Sequence, residues 1–246
     1  MSFTVVIPAR FASTRLPGKA LADIQGKSMI EHVVERANES SAHRVIVATD
    51  DERIRSALAG ADCEVCLTRK DHESGSDRLA EVVHALAIRD DEIVVNVQGD
   101  EPLVPGRLID QVAAALEVAG DAVMSTAAKA IDNEQDLNDS NVVKVVFART
   151  GKALYFSRST IPFARDARVA NAWHHIGIYA YRSSFLKRYD QLVNSAIEQT
   201  ESLEQLRVLD NGDVIMVETV DYETGIGVDT PEDLARVRRI FSNQSS

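Results

Sequence analysis

Short apolar runs alternate with amphipathic segments through the first half of the chain. Four of these runs are continuous enough to be buried strands: residues 3–7, 44–49, 63–68 and 92–97. The segments between them repeat apolar residues at helical spacing, as in residues 29–37 and 79–86. Because strands alternate with helices, the pattern predicts an α/β fold with a mostly parallel sheet and helices on both faces.

The second half of the chain has a less regular pattern. Three strands are predicted close together: residues 142–147, 153–157 and 176–181. Their short separation and the turn at Gly151 favour antiparallel pairing. We interpret residues 1–246 as a single domain, with these strands in a smaller antiparallel lobe inserted at about residues 128–200.

The C-terminal part is predicted as a helix, a strand and a final helix. The first helix covers residues 201–209 and stops at the Asn-Gly pair ending at Gly212. The strand covers residues 214–220. The final helix begins at Thr230 and Pro231, because Thr is a good N-cap and Pro fits the first helical position.

Composition limits the classes of function. Hydrophobic residues make up 45% of the chain, which is ample for a core, and the formal net charge is −11. An acidic chain is a poor candidate for nucleic-acid binding, which needs an extended basic surface. No apolar run is long enough to span a bilayer, and the N-terminus lacks the order of a signal peptide. We therefore expect a soluble, cytoplasmic protein with no membrane partner.

The two cysteines, Cys63 and Cys66, have the C-x-x-C spacing of redox and metal sites. No second pair completes a zinc set, and residues three apart on a strand point to opposite faces of a sheet. We interpret both as inert structural thiols.

A basic loop follows the first strand, which ends at Pro8. Arg10, Arg15 and Lys19 lie within ten residues, with Gly18 among them. Arginine forks and a lysine ammonium bind phosphate oxygens, and loops at the carboxyl ends of strands are where α/β sheets bind ligands. The loop is therefore a candidate polyphosphate site, although a solvated basic turn would look the same. It matches neither G-x-G-x-x-G nor the P-loop pattern.

Two aspartates are candidate metal ligands. Asp100 follows the strand 92–97 in a Gln-Gly-Asp-Glu-Pro turn, and Asp229 lies just before the last helix. Magnesium is bound by one or two carboxylates together with phosphate oxygens and water. The alternatives are a turn-capping role for Asp100 and a favourable helix-dipole position for Asp229.

Several other polar residues stand out less. Ser74 and Gly75 lie in a loop that enters a helix, and either Ser74 or Ser76 is a candidate N-cap. Arg78 falls within that helix, where a solvated arginine is the default, and Arg158 is equally consistent with a structural role. Glu201 and Glu204 lie three apart on the helix 201–209, so they share one face.

Taken together, the chain resembles the 3-deoxy-manno-octulosonate (Kdo) cytidylyltransferases, from about Phe3 to Arg238. The segments that carry the resemblance are IPARFASTRLPGK, VATDDERI, SGSDRLAEV, VNVQGDEPL, VKVV, ALYFSRSTIPF, HHIGIYAYR, SLEQLRVL and GVDTPEDL. The resemblance implies a Rossmann-like α/β enzyme that makes CMP-Kdo and pyrophosphate from CTP and Kdo, for lipopolysaccharide synthesis. It also implies a homodimer formed through the smaller lobe.

The resemblance also implies residue roles. The residues of the CTP site would be Pro8, Ala9, Arg10, Arg15, Lys19, Ser74, Gly75 and Gln98. The residues of the sugar pocket would be Arg78, Gln98, Arg158, His175, Tyr179, Glu204 and Gln205. Asp100 and Asp229 would bind Mg²⁺, the implied cofactor, and would form the catalytic centre with Lys19.

Three departures from the family pattern accompany these matches. Ala20 stands where proline is common, Ser76 stands where threonine is usual, and the stretch 165–174 is shorter than in many relatives. The alternative functions are a cytidylyltransferase for another acidic sugar, such as 8-amino-Kdo or a sialic acid, and a non-catalytic nucleotide-binding protein.

Overall fold

The computed structural model describes residues 2–12, 16–72, 74–165 and 171–244. Within these ranges the strands are β1 Phe3–Ala9, β2 Asp23–Ile24, β3 Lys27–Ser28, β4 Arg44–Thr49, β5 Glu64–Leu67, β6 Ile93–Asn96, β7 Ala122–Ala130, β8 Lys144–Phe147, β9 Ala153–Ser157, β10 Trp173–Arg182 and β11 Val214–Val220. The helices are α1 Met29–Asn38, α2 Glu52–Ala57, α3 Gly75–Ala85, α4 Gly106–Val118, α5 Glu134–Asn138, α6 Ser183–Leu186, α7 Ala196–Glu201, α8 Gln205–Asp210 and α9 Pro231–Gln244.

The main sheet has the strand order β11-β7-β10-β6-β1-β4-β5. Neighbouring strands are parallel except at β10, which is antiparallel to both β6 and β7. The predicted α/β fold with a mostly parallel sheet is therefore confirmed. The carboxyl ends of β1 and β6 lie side by side at one edge of this sheet, where ligands bind in open α/β folds.

The antiparallel part of the fold branches from the main sheet. Strands β8 and β9 pair with each other, and β8 also pairs with Trp173 and His174 at the start of β10. The second half of β10 pairs with β6 in the middle of the main sheet. The segment 128–200, predicted as an inserted lobe, thus also supplies a central strand.

The core lies on both faces of the sheet, because successive side chains of a strand point to opposite sides. In β1, Val5 and Ile7 belong to one apolar cluster, with helices α1 and α4, and Val6 belongs to another, with α3. All three side chains are fully buried. This two-sided burial explains why the first strand is an unbroken apolar run.

Strand β7 was absent from the sequence-based expectations. Its sequence, AVMSTAAKA, is made largely of small residues, with only two β-branched side chains, Val123 and Thr126, and no aromatic one. It forms a strand because it is buried between β10 and β11, with helix α4 packed against it. Tertiary packing overrides the weak local preference.

The prediction of one helix over residues 201–209 is wrong. Helix α7 ends at Glu201, Ser202 adopts a left-handed backbone with φ of 52°, and α8 begins at Gln205. The Glu201 carboxylate accepts hydrogen bonds from the Ser157 hydroxyl and the Arg158 amide, at 2.6 and 2.9 Å. Glu201 and Glu204 therefore do not share a helix face.

The two cysteines point to opposite faces of the sheet, as predicted. Cys63 packs against the cluster that contains Val5, and Cys66 belongs to the cluster that contains Val6. Burial, with the nearby charge of Asp62, raises the pKa of the Cys63 thiol to about 11, so it stays protonated at neutral pH. No helix of the described segments is long and apolar enough to cross a membrane.

Candidate active site

A cavity of about 360 Å³ opens at the carboxyl ends of β1 and β6. The residues that line it come from four separate stretches of chain: Pro8, Ala9, Arg10, Ala12, Lys19, Ala20, Gly75, Gln98, Gly99, Asp100 and Asp229. Most of the residues predicted for the nucleotide site therefore lie around one space. Arg15 falls outside the described residues.

Lys19 joins the two candidate metal ligands. It begins a short 3-10 turn just after Gly18, whose φ of 68° takes the chain back toward the sheet. Its Nζ donates to Asp100 Oδ2 at 2.5 Å and to Asp229 Oδ1 at 3.1 Å. Two carboxylates far apart in the sequence thus converge on one ammonium group.

The pKa of Lys19 reflects this position. Burial alone lowers the pKa of the ammonium, but the charge of Asp100 and the hydrogen bonds to both aspartates outweigh burial. The net effect is a pKa above the ordinary lysine value, so Lys19 is a fixed cation at neutral pH.

Backbone contacts hold the two aspartate loops together. A Cβ on Gly99 would lie 2.7 Å from the Pro8 carbonyl oxygen, so only glycine allows this approach to β1. The Val228 amide donates to the Asp100 carbonyl at 2.9 Å, and a Cβ on Gly225 would lie 2.8 Å from the Leu103 carbonyl oxygen. The loop carrying Asp229 is therefore pressed onto the loop carrying Asp100.

Helix α9 fixes the other end of the Asp229 loop. The Asp233 amide donates to the Thr230 hydroxyl at 3.2 Å, and the Thr230 amide donates to Asp233 at 2.9 Å. This is the N-terminal capping expected from the sequence. The Asp229 amide also donates to the Asp233 carboxylate, at 3.2 Å.

The donor set suits a hard divalent cation. The side chains of Asp100 and Asp229 remain 29% and 49% exposed, so their oxygens face the cavity. Among the described residues, no group of three or more His, Cys, Asp or Glu side chains could hold a metal. Two carboxylates without a third protein ligand fit Mg²⁺, which completes its shell with phosphate oxygens and water.

Glu101 is a neighbour that the sequence analysis did not single out. Burial, and next the charge of Asp100, raise its pKa to about 8. It lines a second cavity of about 180 Å³ with His174, His175 and the glycine-rich loop near Gly225. The signal for Glu101 was its place in the QGDEP turn, but burial of a carboxyl beside a charged one is visible only in the structure.

Helix α3 begins at the other side of the cavity. The Asp77 amide donates to the Ser74 hydroxyl, and the Ser74 amide donates back to the Asp77 carboxylate, both at 3.1 Å. Of the two candidate serines, Ser74 is therefore the N-cap, and Ser76 lies within the helix. Gly75 lines the cavity, and a Cβ placed there would meet no atom within 4 Å, so the space beside the helix N-terminus is open.

A group of polar side chains lies between α3, β6, β10 and α8, and one of them, Glu204, lines a separate cavity together with Ser74. The Tyr179 hydroxyl contacts Gln205 Oε1 at 3.4 Å, and the Tyr189 hydroxyl donates to Glu204 at 2.9 Å. Gln205 Nε2 and Asn96 Oδ1 are buried and have no hydrogen-bond partner among the described residues. The structure thus brings together Tyr179, Glu204 and Gln205, three of the residues predicted for the sugar pocket.

Arg78 has a different environment from the solvated one considered the default. Its side chain is fully buried, and its guanidinium donates to Asp50 at 3.0 Å and to the Thr68 hydroxyl. These partners lie at the ends of β4 and β5, so Arg78 ties helix α3 to that edge of the sheet. Its Nε has no partner among the described residues.

Arg158 and His175 also have protein partners. The Arg158 guanidinium donates to the carbonyls of Glu201, Ser202 and Ser140, at 2.8, 3.3 and 3.1 Å. His175 Nε2 lies 3.0 Å from the Thr126 hydroxyl. Burial, then the nearby His174, lowers the pKa of His175 to about 3, so its ring is neutral at neutral pH. Arg158 thus ties the end of β9 to the end of α7, and His175 joins β10 to β7.

Comparisons with known proteins found a matching family, similar sequences and a similar structure. The model of the cytidylyltransferase family matches residues 4–219. A 3-deoxy-manno-octulosonate cytidylyltransferase of Pectobacterium carotovorum subsp. carotovorum (strain PC1) is 53% identical, over 99% of this chain and 100% of that protein. One of Histophilus somni (strain 129Pt) is 51% identical, with the same coverage. A solved structure of CMP:2-keto-3-deoxy-manno-octonic acid synthetase complexed with CTP matches with a TM-score of 0.93 and 43% identity, over 99% of each chain.

Proposed function

Because this chain belongs to the 3-deoxy-manno-octulosonate cytidylyltransferases, we propose that it transfers CMP from CTP to the anomeric hydroxyl of Kdo and releases pyrophosphate. The observation that carries the proposal is the Lys19 ammonium held between Asp100 and Asp229 in a cavity at the carboxyl ends of β1 and β6. The product would serve lipopolysaccharide synthesis.

The cations of the site bind the phosphates of CTP. Arg10 and Lys19 line the cavity with the backbone of Pro8 and Ala9, and the open N-terminus of α3 at Gly75 faces the same space. A lysine ammonium aimed at the departing pyrophosphate stabilises the charge that develops as the bond to the α-phosphorus breaks. No covalent intermediate is needed, so the proposed step is direct in-line displacement.

Magnesium is the proposed cofactor, held by Asp100 and Asp229. When bound, Mg²⁺ neutralises phosphate charge and aligns the attacking hydroxyl with the α-phosphate. The aspartates are already converged in the protein, held by the contacts of Gly99 and Gly225. Lys19 occupies the point between them and would turn toward the phosphates when the nucleotide arrives.

The sugar is proposed to bind beside Tyr179, Glu204 and Gln205. A polyhydroxylated acid needs several hydrogen-bond partners, and this group holds a carboxylate, an amide and two tyrosine hydroxyls. The unpaired Gln205 Nε2 and Asn96 Oδ1 add a donor and an acceptor. Buried polar atoms without partners cost stability unless a ligand or water completes them.

A homodimer in the cytoplasm is also proposed. Leu154 on β9 and Phe163 in the loop after it are 63% and 85% exposed. Large apolar side chains on the antiparallel part of the fold favour an interface there. Light scattering on the purified protein tests the dimer, and a monomer at micromolar concentration would refute it.

The test of the proposed function is pyrophosphate release across a panel of substrates. CTP and UTP are each combined with Kdo, 8-amino-Kdo and a sialic acid, with Mg²⁺ present. Release with CTP and Kdo is expected to be fastest. A higher rate with another sugar would identify that sugar, and not Kdo, as the acceptor. If no pair released pyrophosphate, a non-catalytic nucleotide-binding protein would be favoured.

Asp100→Asn is the matched variant for the catalytic centre. It keeps the shape of the side chain and removes the charge, so turnover should fall by several orders of magnitude. A near-normal rate would contradict the role of Asp100 as a metal ligand.

A further inference from the structure

Arg53 makes a contact that connects helix α2 with the nucleotide loop. Its Cζ lies 3.3 Å from the centroid of the Phe11 ring, so the guanidinium covers one face of the ring. Asp51 orients this group, because Arg53 Nε and Nη2 donate to its two carboxylate oxygens at 2.8 and 2.6 Å. The same hydrogen bonds lower the pKa of Asp51 to about 2, which keeps the pair ionised at neutral pH.

Phe11 in turn supports both ends of the loop that carries the phosphate-binding cations. It directly follows Arg10, and its carbonyl accepts a hydrogen bond from the Gly18 amide at 3.2 Å. A Cβ on Gly18 would lie 3.3 Å from the Phe11 ring, so the ring rests on the backbone just before Lys19. The position of Phe11 thus determines where the backbone of Arg10 and of Lys19 lies.

We propose that Arg53 is a positioning residue for the nucleotide: by covering Phe11 it holds Arg10 and Lys19 in place before the triphosphate binds. This inference rests on the proposed function, because it concerns binding of the CTP phosphates. Arg53 does not line the cavity, and its guanidinium contacts Asp51 and Phe11. Loss of Arg53 should therefore change the affinity for CTP and not the rate of the chemical step, because the bound phosphates themselves hold the loop in place.

The expected size is modest. The Arg53 side chain is 60% exposed, and a cation–π contact at an exposed site changes an equilibrium by about two- to fivefold. Arg53→Ala should therefore raise the Kd for CTP by about two- to fivefold and leave kcat within about twofold. Arg53→Lys keeps a cation above the ring and loses the fork to Asp51, so it should restore part of the affinity.

Arg55→Ala is the matched control. Arg55 lies on the same helix, is similarly exposed at 54%, and pairs with Glu52 at 3.2 Å. Both variants remove one positive charge from α2, so a general electrostatic effect on a tetra-anionic ligand would appear in both. Calorimetric titration of CTP with Mg²⁺ and without sugar is the measurement. An equal Kd for Arg53→Ala and Arg55→Ala would overturn the proposal.

A second comparison tests whether Arg53 acts through Phe11. Phe11→Leu removes the ring, and in that background Arg53→Ala should weaken CTP binding no further. Phe11→Tyr keeps a ring and should bind CTP like the parent chain; thermal denaturation checks that each variant is folded. Full additivity of Arg53→Ala and Phe11→Leu would refute the mechanism and point to a direct effect of Arg53 on the phosphates.

The result of these CTP titrations is independent of the test of the proposed function, because no sugar is present. If the parent chain binds CTP but forms no product with any acidic sugar, the proposed reaction fails while the Arg53 comparison still decides this inference. If the parent chain binds another nucleoside triphosphate instead, the same variants are titrated with that ligand, and the same inequality between Arg53 and Arg55 is required.

Discussion

Gly225→Ala should disturb both the stability of the protein and its catalytic centre. Gly225 has φ of 97°, in a region that L side chains rarely adopt, and an added Cβ would lie 2.8 Å from the Leu103 carbonyl oxygen. Left-handed backbone costs an alanine roughly 1–2 kcal/mol, and overpacking against backbone that is unable to yield costs roughly 1–3 kcal/mol more. The two effects together predict a loss of about 2–5 kcal/mol in the free energy of unfolding.

Gly212→Ala separates these two effects. Gly212 also has a positive φ, of 81°, but a Cβ there would meet nothing within 4 Å. Gly212→Ala should lower the free energy of unfolding by only about 1–2 kcal/mol, the cost of the left-handed backbone. The lower entropy of the unfolded chain partly offsets this loss. By differential scanning calorimetry, Gly225→Ala should melt about 4–20 °C below the parent and Gly212→Ala about 2–6 °C below it.

Measuring kcat of Gly225→Ala and Gly212→Ala is the second test. The overlap at Leu103 would push the Asp229 loop away from Asp100 and weaken the Val228 hydrogen bond that joins the loops. Because a displacement of about 1 Å in a catalytic group can cost about 100-fold in rate, kcat of Gly225→Ala should fall by about 10- to 100-fold. Equal melting temperatures and equal kcat for the two variants would refute the argument that close packing at Gly225 places Asp229.

Three further predictions concern single side chains. Lys19→Met should tighten Mn²⁺ binding to the nucleotide-free protein by about five- to tenfold, because the ammonium no longer competes for the two aspartates; calorimetry showing weaker binding would contradict this. Tyr189→Phe should raise the KM for the sugar about two- to tenfold and leave the KM for CTP unchanged, since it removes the hydrogen bond to Glu204; equal changes in both constants would contradict a role on the sugar side. His175 should destabilise the protein in acid, because its pKa is about 3 when folded and about 6.5 when unfolded, so below pH 6.5 only the unfolded chain takes the proton. Denaturant titrations should show the parent losing about 2 kcal/mol more than His175→Asn between pH 7 and pH 5, and parallel pH profiles would show that the ring is not kept neutral.

Features encoded by neighbouring residues could be predicted from the sequence. The run Phe3–Ile7, the basic loop after it and the Asp100 turn are continuous in the chain, so their place at a strand's carboxyl end follows from local pattern alone. The capping signals at Ser74 and Thr230 are equally local, and both are made in the structure. Strand β7 lacks such a signal, because its small residues fit the sheet only once β10 and β11 enclose it.

Features that depend on distant partners could not be predicted. Arg78 is buried because Asp50 and Thr68, at the ends of other strands, accept hydrogen bonds from its guanidinium. The residues next to Arg78 in the sequence do not indicate these partners. The break at Ser202 follows from Glu201 turning to bind Ser157 and Arg158 on another element. Local helix preference is right for residues 205–209, which lie in α8, and wrong for residues 202–204, which separate α8 from α7.

The convergence of Asp100 and Asp229 shows how the two kinds of information combine. Two carboxylates repel each other, so some other force must hold them at one point. The close contacts at Gly99 and Gly225 and the hydrogen bond from Val228 to Asp100 involve backbone atoms and no charge. Because the loops are fixed in this way, the Lys19 ammonium can leave the aspartates for phosphate oxygens without the pair coming apart. The glycines, visible in the sequence as QGDEP and GIGVD, therefore encode the geometry of the site, and the charged residues encode its chemistry.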